Sequence, residues 1–126
     1  PRLGTPPGAG ELELMARKAI ARSVSDLAAM AGEPLAALAT AALPAGFALE
    51  HAQVLSEALY RWGREWRCPV VGGDVASFAR EHPGAGPVTL TVTCVGTCAP
   101  GLAVLRFGAR AGDLVFVTGA LGGSLA

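Results

Sequence analysis

The sequence predicts a layered domain built from helices and β-strands, and three observations support this. Two stretches carry apolar residues at helical spacing, one stretch alternates apolar residues with threonine as a half-buried strand does, and glycines and prolines separate these segments. The chain has 126 residues, of which 52% are hydrophobic. That size suits one domain with a buried core. Because helical and strand-like segments are interspersed, we expect a sheet packed against helices.

The first predicted helix runs from Glu11 to about Ala31, a stretch without proline or glycine. Its apolar face consists of Leu12, Ala16, Ala19, Ile20, Val24, Leu27 and Ala31. We expect Gly32 to end this helix and Pro34 to prevent its continuation. The next segment, Leu35–Leu43, is ambiguous because its alanines favour a helix, whereas a short run between two prolines equally fits a buried strand.

A second helix is predicted from about Leu49 to Trp66. Its apolar face consists of Ala52, Leu55, Leu59 and Trp62. A short buried strand follows over Cys68–Val71 and leads into Gly72-Gly73-Asp74. After this motif we expect a polar loop over Ser77–Gly86.

The clearest strand is Val88–Val95, in which apolar side chains alternate with threonines. Gly108–Gly112 predicts a tight turn. A last strand is predicted over Asp113–Thr118, and because four consecutive residues are apolar we expect it to be buried on both faces.

Composition excludes several classes of function. Ten basic residues balance ten acidic ones, so the chain offers no basic field for nucleic acid or an anionic membrane. No apolar stretch approaches the ~20 residues of a membrane helix, and no signal-peptide pattern is present. We expect the three cysteines to be reduced thiols in a cytoplasmic protein. We expect no zinc site, because Cys94 and Cys98 have no second ligand pair.

Two motifs contain a carboxylate that could bind a metal ion or a ligand. Asp26 lies within the first helix among small apolar residues, and the bland alternative is an exposed ion pair with Arg22 one turn earlier. Asp74 follows Gly72-Gly73 after a strand, where the backbone can approach a ligand and the carboxylate can reach a hard cation. The bland alternative for Asp74 is an ordinary turn.

A third motif, 118–124, is rich in glycine and follows a predicted strand. If it opens a helix, its free N–H groups attract phosphate. It lacks the Gly-Lys-Ser/Thr ending of a Walker A loop and does not fit the dinucleotide-binding pattern. A glycine-rich connection needed only for geometry explains the motif equally well.

Taken in order, three segments resemble the thiamine-monophosphate kinase family. They are the run from Lys18 to Pro34 around Ser25-Asp26, the motif Val71-Gly-Gly-Asp74, and the run from Leu105 to Gly119. This resemblance decides for a strand at Leu35–Leu43. It implies an α+β domain with a mixed sheet and helices on one face, the N-terminal domain of the aminoimidazole ribonucleotide synthetase-like fold, whose sheet is shared across a homodimer.

The resemblance also implies an activity, the ATP-dependent phosphorylation of thiamine monophosphate to thiamine diphosphate. It implies that Asp26 and Asp74 are Mg²⁺ ligands and that Gly73, Asp74 and Arg106 contact ATP. The two carboxylates are therefore expected to converge. Phosphoryl transfer depends mainly on positioning and charge neutralisation, which metal-binding carboxylates provide.

Several residues depart from the family pattern. Ser23 replaces the usual asparagine, Val75 and Ala76 replace threonines, and Gly123 stands where many members have aspartate. We expect 1–126 to be one partial Mg-ATP-binding domain, without early strands and a C-terminal domain, and inactive alone. Two alternatives remain: another ATP-using member of the superfamily, of the selenophosphate synthetase, purine synthetase or hydrogenase maturation type, or an inactive dimerisation module.

Overall fold

The computed structural model describes residues 7–78, 86–117 and 119–120. In chain order it contains helix α1 (Ala9–Ala29), strand β1 (Glu33–Pro44), helix α2 (Leu49–Glu65), strand β2 (Val70–Phe78) and strand β3 (Thr89–Thr97). The strand order in the sheet is β2-β1-β3. β1 runs parallel to β2 and antiparallel to β3, so the sheet is mixed. The expected α+β class is confirmed.

Both helices end in the same hydrogen-bonded motif. At the end of α1, the Gly32 N–H donates to the Leu27 carbonyl at 2.8 Å, and the Ala31 N–H donates to Ala28 at 3.0 Å. This is the Schellman arrangement, which requires a left-handed residue just after the helix. That residue is Ala31, with φ of 57°, although the sequence suggested that Gly32 ends the helix.

The ambiguous alanine-rich segment is a strand. β1 lies at the centre of the sheet and pairs with a neighbour on each side, so strand pairing satisfies its backbone groups in both directions. This pairing overrides the helix propensity of alanine, which is a weak preference. The small side chains of Ala37 and Ala41 are buried and face the helices.

The core lies between the two helices and one face of the sheet. Its buried members are Leu12, Ala16, Ile20, Ala41, Leu43, Leu55, Ala58 and Leu59. The helices also contact each other through polar groups, because Glu13 of α1 accepts a hydrogen bond from the Trp62 indole at 2.5 Å and pairs with Arg61 of α2. Because this single core joins residues of both helices to one face of the sheet, both helices cover that face.

β2 is longer than the sequence predicted. The strand was expected over Cys68–Val71, but it begins at Val70 and continues to Phe78. Gly72-Gly73-Asp74 therefore lies inside the strand, and Ser77 belongs to it and not to the expected loop. The physical reason is pairing, since β1 extends alongside and pairs with β2 as far as Pro44 opposite Phe78. Residues 79–85, in the rest of the expected loop, lie outside the described residues.

The predicted last strand is wrong over its described part. Residues 113–117 form no strand, and Leu114, Val115 and Phe116 are 79%, 94% and 82% exposed. An apolar run forms a buried strand only when a neighbouring strand pairs with it, and the sheet described here ends at β2 and β3. The preceding turn is confirmed: the Asp113 N–H donates to the Arg110 carbonyl at 3.1 Å.

Candidate functional site

Asp74 lies in the middle of β2 and is exposed. It pairs with Thr40 of β1. A Cβ added at Gly72 would contact the Leu38 side chain at 3.4 Å, and Leu38 is 47% exposed. Because side chains alternate along a strand, Asp74 shares this face with Leu38 and Thr40. The carboxylate therefore belongs to the sheet face that the helices leave open.

Gly73 is required by the packing of the sheet. A Cβ at this position would lie 1.7 Å from the Ala39 carbonyl oxygen, and the residue has φ of +157°. No side chain fits at such a distance. Close approach of the backbone, which the sequence attributed to a ligand, is thus already explained by the neighbouring strand β1. Contact of Gly73 with ATP stays a prediction.

A cavity of about 380 Å³ lies between α2 and the sheet, beside the Gly-Gly-Asp motif. Its floor is formed by small residues of β1, among them Ala39 and Ala41, and α2 contributes Ser56 and Tyr60. Neither polar residue belongs to a motif that the sequence predicts to be functional. The available signal was their four-residue spacing, one position after Leu55 and Leu59 of the apolar face.

Asp26 is exposed in the last turn and a half of α1. One turn earlier, the Ser23 hydroxyl donates a hydrogen bond to the Val92 carbonyl of β3 at 2.8 Å. The serine that departs from the family pattern thus joins α1 to the sheet, a role that the sequence alone did not suggest. Asp26 consequently lies in the helix layer, on the side of β3.

Arg106 follows β3 in a segment without helix or strand, and it is exposed. The Val104 N–H donates to the Met30 carbonyl at the end of α1, at 3.1 Å. The segment that carries Arg106 therefore returns to the helix end next to Asp26. The structure thus brings Val104, two residues before Arg106, to the end of the helix that carries Asp26.

Asp74 is separated from that end by the width of the sheet. β1 lies between β2, which carries Asp74, and β3, which α1 contacts through Ser23. Within the described ranges, no group of three or more His, Cys, Asp or Glu side chains is placed to hold a metal ion. The convergence of Asp26 and Asp74 stays a prediction.

Of the other residues that depart from the family pattern, the structure describes Val75 and Ala76 but not Gly123. Val75 is 69% exposed and Ala76 is also exposed on β2. In the glycine-rich motif 118–124, Gly123 and all other residues except 119 and 120 lie outside the described residues. Its phosphate-binding role stays a prediction.

Among the described residues, Cys94 has a shifted pKa. Burial, followed by a hydrogen bond and charge repulsion from the Cys68 thiol, raises the pKa of Cys94 from 9.0 to about 12, while a hydrogen bond with Ser23 acts in the opposite direction. All three cysteines are free.

In the part of the chain that the structure describes, no helix is long and apolar enough to cross a membrane.

Comparison with protein families gives a match over most of the chain. Residues 4–98 match the N-terminal domain of AIR synthase related protein. Among curated proteins, the thiamine-monophosphate kinase of Rhodopirellula baltica is 41% identical over 109 residues, and that of Bacillus subtilis is 34% identical over the same length. Each alignment covers 86% of this chain and 32% of the relative, so the chain spans about a third of these proteins.

Solved structures have the same fold. A thiamine-monophosphate kinase from Stenotrophomonas maltophilia matches with a TM-score of 0.60 and 26% identity, over 79% of this chain and 28% of that one. The hydrogenase maturation protein HypE in complex with ATP matches with a TM-score of 0.62 over 71% of this chain and 26% of that one. At 17% identity, the second match supports the fold alone.

Proposed function

The chain belongs to the family of AIR synthase related proteins, and from that premise we propose that the protein transfers the γ-phosphoryl group of ATP to thiamine monophosphate. The observation that carries this proposal is the 41% identity to a thiamine-monophosphate kinase across 86% of the chain. In this reaction a phosphate oxygen of thiamine monophosphate forms the new bond to phosphorus. The bond to the leaving ADP breaks, and the products are thiamine diphosphate and ADP.

Mg²⁺ is part of this proposal, with Asp26 and Asp74 as its ligands. Both side chains are exposed carboxylates, which supply the hard oxygen donors that Mg²⁺ prefers. Mg²⁺ commonly uses one or two carboxylates together with substrate phosphates, so it needs no cluster of three protein ligands. Bound there, the ion would neutralise charge on the phosphates.

Gly73, Asp74 and Arg106 are the proposed ATP contacts. Gly73 is a poor position to test, because any side chain there collides with Ala39. Asp74 and Arg106 are exposed, so substitution changes their charge without emptying a core position. We place the reaction in the cytoplasm, where free cysteines such as those of this chain persist.

The central experiment is Asp74→Asn in the protein that contains this chain. Loss of one ligand charge weakens phosphate neutralisation, and we expect kcat to fall by about 10²-fold or more. The assay is ADP release with thiamine monophosphate as acceptor, run beside a thermal melt. Added Mg²⁺ should restore part of the rate.

Asp113→Asn is the matched control. The Asp113 carboxylate accepts a hydrogen bond from the Arg110 N–H at 2.7 Å and serves a turn, so its loss should leave kcat unchanged. If Asp74→Asn keeps a normal rate and only lowers the melting temperature, Asp74 has a structural role. If Asp26 and Asp74 share one ion, the double variant should lose less than the product of the two single losses.

The acceptor assay also tests the alternative functions. The chain is 31% identical to the carbamoyl dehydratase HypE of Cupriavidus necator over 100 residues, which favours hydrogenase maturation as the second candidate. ATP turnover without dependence on thiamine monophosphate would favour this candidate. Absence of any ATP turnover would favour an inactive dimerisation module.

We also propose a homodimer formed through the part of the open sheet face that β1 and β3 contribute, so that Asp74 on β2 stays accessible to ATP. This part of the face carries four threonines and two apolar residues, namely Thr40, Thr89, Thr91, Thr93, Leu38 and Ala42. At one edge of the described sheet, β3 also has unpaired backbone groups on its outer side. A second copy that covers both would bury more than about 1,000 Å².

A further inference from the structure

The hydroxyl of Ser23 bonds a strand of the sheet and not its own helix. Serines inside a helix commonly donate to a carbonyl of the preceding turn. Ser23 is half-buried in α1 and donates instead to the Val92 carbonyl of β3 at 2.8 Å, across 69 residues of sequence. The bond therefore joins one turn of α1 to one position along β3.

The Val92 carbonyl is free to accept this bond because the pairing with β1 does not use it. Val92 pairs with Ala39 of β1 in the antiparallel ladder. The Ala39 carbonyl oxygen is directed at β2, since a Cβ at Gly73 would lie 1.7 Å from it. Partner residues of an antiparallel ladder either exchange hydrogen bonds or both point their backbone groups away from each other. Ala39 and Val92 are of the second kind, so Ser23 supplies a partner that β1 does not.

A second contact between α1 and β3 follows one turn later. A Cβ added at Gly96 would lie 3.1 Å from both Cδ atoms of Leu27, so the Leu27 side chain packs against β3. Apolar contact is not directional and lets the helix slide or turn on the strand, whereas a hydrogen bond fixes distance and direction. Asp26 lies between these two points of attachment and is exposed. The Ser23 bond therefore sets where the Asp26 turn lies along β3.

We propose that Ser23 is a positioning residue for the proposed Mg²⁺ site, because its bond to Val92 holds in place the turn of α1 that carries Asp26. A carboxylate that is held in place before the ion arrives loses less freedom when it binds, so the ion is bound more tightly. This inference rests on the proposed function, in which Asp26 is a Mg²⁺ ligand. It gives a role in the reaction to the serine that stands where the family usually has asparagine.

The experiment measures the binding of Mg²⁺ with AMP-PNP, a non-hydrolysable ATP analogue, by isothermal titration calorimetry. It uses the full-length protein that contains this chain. Ser23→Ala removes the hydroxyl, and we expect the Kd to rise by about fivefold, as for the loss of one hydrogen bond. Ser23→Thr keeps the hydroxyl, and its Kd should stay within about twofold of the wild-type value. If Ser23→Thr loses as much affinity as Ser23→Ala, the hydroxyl is not responsible and the proposal is overturned.

Trp62→Phe is the matched control for lost stability. It also removes one hydrogen bond from α1, the bond that the Trp62 indole donates to Glu13. Glu13 lies about 20 Å along the helix from Asp26. Both variants should lower the melting temperature, but only Ser23→Ala should weaken the binding of Mg²⁺ and AMP-PNP. Equal weakening by the two variants would show a general effect of stability and overturn the proposal.

A double-mutant cycle tests whether Ser23 acts through Asp26. Asp26→Asn alone should raise the Kd, and Ser23→Ala in that background should raise it no further. An equal effect of Ser23→Ala in both backgrounds would overturn the proposal. If Asp26→Asn leaves the Kd unchanged, the proposed metal site is wrong and this inference falls with it. If Asp26→Asn raises the Kd and Ser23→Ala does not, this inference alone is wrong.

Amide hydrogen exchange tests the same idea without metal or nucleotide. Ser23→Ala should speed exchange across residues 23–27 by about fivefold, because local opening of this turn then breaks one bond fewer. Trp62→Phe should leave exchange in these residues unchanged relative to the rest of α1. If Ser23→Ala exchanges there at the wild-type rate, the bond does not hold the Asp26 turn and the proposal is overturned.

Discussion

At the scale of single residues, two adjacent glycines in β2 have different environments. An added Cβ would lie 1.7 Å from the Ala39 oxygen at Gly73 but 3.4 Å from the nearest Leu38 atom at Gly72. The first distance is an impossible overlap and the second is ordinary van der Waals contact. Sequence inspection treats the two as one Gly-Gly motif, whereas the packing of β1 against β2 gives them separate roles.

We therefore predict that Gly73→Ala destabilises the chain by at least about 3 kcal/mol, because β1 and β2 must move apart or the backbone must rearrange. Gly72→Ala is the control, and it should change the free energy of unfolding by less than about 1 kcal/mol. Urea unfolding followed by circular dichroism measures both. Equal losses for the two variants would contradict the packing argument.

The raised pKa of Cys94 gives a pH prediction. A thiol with pKa of about 12 binds its proton until strongly alkaline pH. Alkylation of Cys94 by iodoacetamide in the folded chain should therefore rise about tenfold per pH unit and continue rising beyond pH 10. In the urea-unfolded chain, where the pKa returns to 9.0, the rate should level off near pH 10.

Quantitative peptide mapping measures this rate for Cys94 separately from the other cysteines. If the alkylation rate levels off at the same pH in folded and unfolded chains, burial does not raise the pKa of Cys94.

The same raised pKa also has a consequence for the pH dependence of stability. The folded state holds the proton more tightly, so the contribution of Cys94 is present below pH 9 and is lost as pH rises toward 12.

At the scale of elements, the ends of the two helices are the least predictable features. Both helices end with a non-glycine residue in the left-handed conformation, Ala31 at φ 57° and Arg67 at φ 54°. Such residues are strained relative to glycine. The connections that follow are short and lead directly into β1 and β2, so the position of each strand depends on these turns.

We predict that Arg67→Gly stabilises the chain by about 0.5–1 kcal/mol, because glycine adopts this conformation without steric cost. Arg64→Gly is the matched control, since it removes the same charge from within α2. There glycine should destabilise by about 1 kcal/mol. Thermal melts of both variants give the comparison, and a loss of stability with Arg67→Gly would contradict the assigned Schellman motif.

The segment after β3 illustrates an element that lacks a partner. Val115 and Phe116 are among the most exposed apolar residues described. Their sequence has the pattern of a buried strand. The residues are apolar as the pattern indicates, but no neighbouring strand of the described sheet pairs with them. Strand formation depends on a neighbour as well as on the segment itself.

At the scale of the whole molecule, both helices pack on one face of the sheet and leave the other open. Leu38 is 47% exposed on this open face, beside Thr40. An uncovered sheet face that exposes a large apolar side chain is the kind of surface that a second copy buries. The proposed homodimer would remove the β1 and β3 part of this face and the outer edge of β3 from water.

We predict that Leu38→Glu shifts the dimer toward monomer by at least about tenfold in dissociation constant, because a carboxylate would be buried in the interface. Leu49→Glu is the control, since Leu49 is 74% exposed at the start of α2 in the helix layer. Sedimentation equilibrium measures both. A wild-type protein that stays monomeric at high concentration would exclude the dimer.

The sequence by itself determined three of the five elements and their order. Apolar periodicity located α1 and α2, and alternation located β3, because these patterns report which face of an element is buried. Local motifs also selected Asp26 and Asp74 as candidate residues, and the family resemblance added Arg106.

Only the tertiary structure decided how these elements meet. Pairing on both sides made β1 a strand despite its alanines, and pairing with β1 extended β2 through the glycines. The same pairing assigned Asp74 to the open face of the sheet, while Ser23 joined the helix of Asp26 to β3. These contacts join residues far apart in sequence, and a local pattern contains no information about which distant strand becomes a neighbour.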